Sequence, residues 1–229
     1  MTPERVIELL QEPVNLLRAC YLMIQGGSTR TPTLPNAPLP PANGQAPVAR
    51  FKVEIKDSPA LWGLTGEPRA FVKIIKQPGV AVGNPAADEF DAYYIPMVQT
   101  SDVVDGTSHY ALPTDNTALS FMMTSQLSAC MFGTGSDANG AVLVSHVQPK
   151  KDPNTGTYLD RKHLVANVSS GFGELGGSVG KGQGYTEMAA VIGKRKGSSW
   201  SFYCQEQDVT RNRHATPTIT SVSRFSKVK

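Results

Sequence analysis

Glycine and proline interrupt this chain too often for long helices. Its 229 residues include 21 glycines and 17 prolines, and both residues terminate regular structure. Between them lie short runs that alternate polar and apolar residues. RFKVEIK at 50–56 and AFVKIIK at 70–76 have the period of two expected of strands with one buried face. DAYYIPMV at 91–98 reads as another strand, with Pro96 near an edge or an end. HLVANVS at 163–169 adds a further strand, and TPTITSVSRF at 216–225 reads as an edge strand. Residues 185–193 and 199–206 flank Lys194-Arg195-Lys196-Gly197 as a hairpin.

Helices are expected in two places. Thr2-Pro3-Glu4 supplies a cap, a proline at the first helical position and an early acidic charge. Apolar residues at Val6, Leu9, Leu10, Leu17, Cys20, Tyr21 and Ile24 then predict a helix over 3–24, kinked or split at Pro13. Asp115 or Asn116 is expected to cap a second helix over about 117–126, with Leu119, Met122 and Met123 inward. The expected class is α+β, a mostly antiparallel β-sandwich flanked by peripheral helices. Three segments follow: an N-terminal helical segment at 1–27 packed on the body, a Pro-rich linker or loop at 28–48, and a catalytic α+β domain at 49–229.

Composition narrows the function. Hydrophobic residues make up 40% and charged residues 18%, enough for a sizeable core. The net charge of +3 is mild and diffuse, and the densest basic run, Lys194-Arg195-Lys196, suits a hairpin tip as well as a nucleic-acid patch; no nucleic-acid partner is expected. Cys20, Cys130 and Cys204 form an odd, sparse set without a CxxC pair, which argues against a disulfide framework or structural zinc. Glu4, Glu8 and Glu12 stand where a signal peptide would be basic and apolar. No apolar run approaches the ~20 residues a membrane helix needs.

Gly171-Phe172-Gly173-Glu174-Leu175-Gly176 matches a dinucleotide-binding fingerprint, yet no helical pattern follows and no acidic residue lies ~20 positions on. Gly180-Lys181-Gly182 lacks the hydroxyl of a phosphate-binding loop. The glycine-rich run therefore reads as a flexible surface loop, and no cofactor is expected. His109, His163 and His214 lack metal-ligand spacing, while Cys20 and Cys204 sit in apolar settings that suit core residues.

The segment TSQLSACMFGTGSDANGAVLVSH at 124–146 stands apart. Strand pairing symmetric about Ala138 would place Cys130 opposite His146, with Cβ atoms ~5 Å apart. An imidazole beside a thiol can take its proton and hold the thiolate by charge. Backbone amides at the bend Leu127-Ser128-Ala129-Cys130 are candidates for an oxyanion hole, and Thr124, through its hydroxyl or carbonyl, for orienting the imidazole. Cysteine and histidine also face each other across hairpins by chance, so pairing alone leaves both readings open.

Thr124-x-x-Leu127-Ser128-Ala129-Cys130, then a Gly/Asp-containing turn, then Val144-Ser145-His146, resembles the catalytic segment of the lethal factor of Burkholderia, related by fold to cytotoxic necrotizing factor. The detailed likeness covers 124–146, and a weaker one lies in Ser198-Ser199-Trp200 before a strand. The resemblance implies a bacterial toxin or effector that deamidates a glutamine of a host protein without a cofactor. Cys130 would be the nucleophile, His146 the base and acid, and Thr124 the orienting residue. It also implies a translation-initiation RNA helicase or a Rho-type GTPase as target, a monomer, and delivery from the bacterial cytoplasm to host cytosol without a conventional signal peptide. Ala129 replaces the glycine of the family pattern; a positive φ there would cost alanine on the order of 1 kcal/mol. A cysteine protease or transglutaminase would use the same pair. A binding module recruiting a partner through the Pro-rich segment, and a β-rich assembly subunit, are the non-enzymatic alternatives.

Overall fold

The computed structural model describes residues 1–26, 44–56, 70–99, 109–115, 119–148, 171–181, 183–208 and 218–228. The expected strand at 163–169, His163, His214 and most of the Pro-rich segment lie outside these residues.

The α+β expectation is corrected: 63% of the described residues are strand and 9% are helix. Two short helices, α1 (Pro3–Leu9) and α2 (Pro13–Ala19), open the chain. The Thr2 hydroxyl accepts the Arg5 N–H at 3.3 Å, and Pro13 splits the helical segment as expected. The helix stops short of residue 24, because CYLMI is buried on both faces and pairs as strand β1 (Cys20–Gln25). A short continuous apolar run carries no period that separates helix from buried strand. The expected helix at 117–126 fails for the same reason. Phe121–Thr124 is a strand, and its adjacent Met122 and Met123 are both buried, in different core clusters.

The remaining strands, in chain order, are β2 (Gly44–Gln45), β3 (Val48–Lys56), β4 (Ala70–Gln77), β5 (Glu89–Ile95), β6 (Met97–Gln99), β7 (His109–Leu112), β8 (Phe121–Thr124), β9 (Met131–Ser136), β10 (Val142–Gln148), β11 (Glu174–Lys181), β12 (Gly184–Tyr185), β13 (Met188–Lys196), β14 (Ser199–Asp208) and β15 (Thr218–Val228). Eight strands in the order β1-β4-β3-β5-β8-β13-β14-β15 form one sheet, which curls almost into a barrel. Its concave side buries Phe51, Val72, Ile74, Ala92, Met123 and Ile192 together with Val6, Leu10, Leu16 and Leu17 of the helices. The helices thus fill the barrel rather than flank a sandwich. The other side of β5, β8, β13 and β14 packs on a second, seven-stranded sheet through Tyr93, Met122, Phe132, Val144, Val191, Trp200 and Phe202.

The glycine-rich run, expected as a loop, contains β11, which pairs with β9. Its glycines mark close approach of β15: a Cβ at Gly176 would meet Val228 Cγ2 at 2.7 Å, and one at Gly177 the Phe225 carbonyl oxygen at 2.8 Å. Lys194-Arg195-Lys196 ends β13 rather than forming the turn, which falls at Gly197, φ 60°.

One seam completes the barrel. β1 pairs with β4 along one edge, and side-chain amides satisfy its other edge. Gln205 Oε1 accepts the Leu22 N–H at 2.9 Å, and Gln205 Nε2 donates to the carbonyls of Leu17 at 2.6 Å and Cys20 at 2.7 Å. Gln207 Nε2 donates to the Leu22 carbonyl at 2.6 Å. Gln126 accepts the Ile24 N–H through Oε1 at 3.2 Å, and its own N–H donates to the Ile24 carbonyl at 3.0 Å. Both Gln205 and Gln207 are fully buried. Removing Gln205 strands three backbone groups, each costing about 1–3 kcal/mol when buried without a partner. Gln205→Ala is therefore expected to lower the unfolding free energy by about 3 kcal/mol or more in urea titration; a loss below about 1 kcal/mol would mean the seam does not hold the barrel.

Candidate active site

The chain changes sheets twice at one corner. β5 leaves the eight-stranded sheet at Ile95, Pro96 interrupts the ladder, and β6 continues in the seven-stranded sheet beside β10, with Met97 opposite His146. Proline lacks the N–H that an unbroken strand needs. Close by, β8 ends at Thr124 and the chain crosses to β9 through Cys130. Thr124 is paired with Ile95, so both crossings are adjacent.

The crossing segment is pinned. Leu127 and Ala189 exchange two backbone hydrogen bonds at 2.9 Å, and the Tyr185 hydroxyl donates to the Cys130 carbonyl at 2.6 Å. Gln126 ties the segment to β1 and to Gln207.

The β9–β10 hairpin differs from the expected register by two residues: His146 pairs with Phe132, not Cys130. The turn centres on Asn139 because the Asp137 carboxylate accepts the N–H groups of Asn139 and Ala141, both at 2.8 Å, and Gly140 takes a left-handed φ of 80°. A shift of two keeps the face. Cys130 lies with Phe132, Val142 and Val144 in the core between the sheets. It is a diagonal neighbour of His146, which in ideal strands means ~7–8 Å.

Thr124 and His146 are brought into contact, whereas the Cys130 thiol forms no hydrogen bond with the His146 ring. His146 Nδ1 and Thr124 Oγ1 are 2.5 Å apart, and that hydroxyl also lies 2.8 Å from the Ile95 carbonyl. The hydroxyl has one proton, which the carbonyl requires; the hydroxyl therefore accepts from Nδ1–H. This assigns the tautomer and leaves Nε2 as a bare acceptor. Nε2 is buried without a hydrogen-bond partner among the described residues. Thr124 acts through its hydroxyl, across the gap between the sheets.

Burial pushes the His146 pKa down to about 3. Burial likewise raises the Cys130 pKa, and the N–H groups of Ala129, Ser128 and Cys130 oppose that rise by facing the sulfur. Both shifts favour a neutral thiol and a neutral imidazole over a thiolate–imidazolium pair. Ser128 is exposed and Ala129 half-buried. Asn84 is the one non-glycine with positive φ among the described residues, so Ala129 bears no left-handed strain.

The thiol lies just below the surface. Cys130 is 2% exposed and its Sγ lies 3.5 Å from Met97 Sδ, while Met97 itself is 41% exposed. Met97 thus links the buried sulfur to the surface. Sequence reasoning missed Met97, the Ile95 carbonyl and Tyr185; Pro96 was the available signal, as a strand breaker that marks the change of sheet. His109 is buried against the Phe172 ring, with centroids 4.5 Å apart, and takes a core place. Cys20 and Cys204 are buried as expected. Among the described residues no group of side chains could hold a metal ion, and no helix is long and apolar enough to cross a membrane.

No family model matches the chain, and no curated protein is detectably similar to it in sequence.

Two outcomes follow. A histidine with a depressed folded pKa stabilises the fold fully above its unfolded value of about 6.5 and loses that contribution as pH falls toward 3. The His146 ring is expected to stay neutral down to about pH 3 by NMR, while Thr124→Val, which takes away the Nδ1 acceptor, brings acid unfolding to higher pH. Met97→Ala is expected to speed alkylation of Cys130 by iodoacetamide at least tenfold, since it uncovers the sulfur; an unchanged rate would show that Met97 does not gate it.

Proposed function

We propose that the protein is a cysteine-dependent amide hydrolase that deamidates a glutamine side chain of a host protein, with Cys130 as nucleophile and His146 as base. The observation that carries this reading is the buried, partnerless Nε2 of His146, held by Thr124 on the face that carries the Cys130 thiol. A buried imidazole acceptor without a partner costs free energy in the resting fold, and such expenditure concentrates at functional sites.

A carboxamide entering past Met97 meets the sulfur among the amides of Ser128, Ala129 and Cys130. As sulfur bonds to the carbonyl carbon, Nε2 takes the thiol proton, so charge appears only with the new bond. The amides stabilise the negative charge that develops there. His146 then gives its proton to the departing nitrogen, which leaves as ammonia. Water, deprotonated by the same nitrogen, attacks the thioester and releases glutamate and the thiol. Thr124 is a positioning residue: it keeps the proton on Nδ1, so that Nε2 alone accepts.

The choice of deamidation over proteolysis comes from the resemblance at 124–146. The target, a translation-initiation RNA helicase or a Rho-type GTPase, comes from the resemblance at 124–146.

Incubation of the intact protein with candidate host proteins is expected to give the mass gain of one amide-to-acid exchange. Cys130→Ser and His146→Ala each lower the rate by at least about a hundredfold. Thr124→Ser, which retains the hydroxyl, restores most of the activity and the pH profile lost in Thr124→Val. A Cys130→Ser variant that keeps full effect on host cells would overturn the enzymatic reading.

A further inference from the structure

The mouth of the curled sheet is a cationic cleft of about 540 Å³, lined by Lys194, Lys196, Ser201, Tyr203, Arg224 and Lys227 beside the α1–α2 corner at Gln11 and Pro13. Register explains how it forms. Lys194 pairs with Ser201, and Ser201 with Lys227, so two lysines flank one hydroxyl across three adjacent strands. The next row pairs Tyr203 with Arg224, and the row on the other side pairs Lys196 with Ser199. Deeper along the same face, Ile192 lies in the barrel core and Gln205 in the seam. The cleft is therefore the polar end of the barrel's interior face.

These charges have no carboxylate partners: none of Lys194, Lys196, Arg224 and Lys227 forms an ion pair among the described residues. Lys194 instead donates to the Gln11 amide oxygen and lies 4.2 Å from the Phe121 ring centroid. Both contacts leave its charge intact while fixing its position. Burial and the neighbouring Arg195 lower the Lys194 pKa, a cost that an anion in the cleft would relieve.

We propose that this barrel mouth is a binding site for a phosphoryl group of a multiply charged ligand, gripped by Lys194 and Lys227 over the Ser201 hydroxyl and by Arg224 beside Tyr203. Lysines from separate strands converge as point charges, and hydroxyls supply neutral donors between them, a donor set suited to a tetrahedral oxyanion. The cleft has the volume of an organic ligand rather than of a lone ion. It is also bounded, whereas a single-stranded nucleic acid needs a long groove with stacked aromatic side chains. Nothing in this inference depends on Cys130 chemistry.

The test uses the full chain and three probes: inorganic pyrophosphate, a phosphoserine peptide and citrate. Pyrophosphate or the phosphopeptide is expected to raise the thermal unfolding midpoint in a saturable way. Lys194→Gln/Lys227→Gln is expected to weaken binding at least about tenfold in calorimetry, and Arg224→Gln, at an exposed position, gives a second reading should the double variant fail to fold. The tighter of the two phosphoryl probes tells whether the group is carried by a free ligand or by a protein. Equal binding of citrate would overturn the phosphoryl assignment. So would the absence of any midpoint shift at millimolar pyrophosphate, or affinity unchanged in both variants. Displacement of pyrophosphate by a single-stranded RNA that binds more tightly, with a steep salt dependence, would replace the site with a polynucleotide surface.

Discussion

Three glutamines hold the barrel together. A strand edge presents backbone donors and acceptors that must be satisfied, and among the described residues β1 has no strand along its second edge. Gln205 and Gln207 of β14, with Gln126, supply amides in its place. Because Gln205 and Gln207 are buried, loss of either would leave bare polar groups in the core. The seam joins β1 to β14 across the curl of the eight-stranded sheet, and both candidate sites are built on strands of that sheet. On the convex side, strands that leave the sheet at Ile95 and Thr124 reach the second sheet within a few residues. On the concave side, the mouth gathers cations from β13 and β15 into one cleft.

Gln126 joins the seam to the candidate active site. It lies between Thr124 and Cys130 and bonds both to Ile24 and to Gln207. The segment that presents the amides of Ser128 and Ala129 to the sulfur is thus tied to the closure of the barrel. This is how a fold supports a preorganised site, by rigid neighbours rather than by the site residues themselves. It also explains the division of roles at the corner: the eight-stranded sheet supplies Thr124, the seven-stranded sheet supplies His146, and the connection between them supplies Cys130.

The electrostatics of the corner are those of a resting, covered site. A dry environment disfavours charge on both partners, raising the thiol and lowering the imidazole. In the proposed reaction, ionisation is coupled to arrival of the electrophile, because only the transition state places charge where the amides can meet it. Met97 lies against the sulfur and is the exposed residue of that contact.

Much of the strand content was legible locally. The alternation in RFKVEIK and AFVKIIK, the break at Pro96, the split at Pro13 and the hairpin around Gly197 follow from side-chain period and from backbone restrictions that act within a few residues. Of the candidate residues at 124–146, the structure sets the Thr124 hydroxyl against the His146 ring and leaves Cys130 on the same face, two residues from the expected partner. The sequence did not reveal that CYLMI and FMMT are strands, because a run buried on both faces loses the period that distinguishes helix from strand. It also misplaced the hairpin register by two, since Asp137 and Gly140 decide the turn through a side-chain cap that composition does not show. Tertiary structure alone decided the barrel, the glutamine seam, the contact of Met97 with the Cys130 sulfur and the convergence of Lys194, Arg224 and Lys227. Each of these depends on residues up to about two hundred positions apart meeting across strands, and no local preference encodes such a meeting.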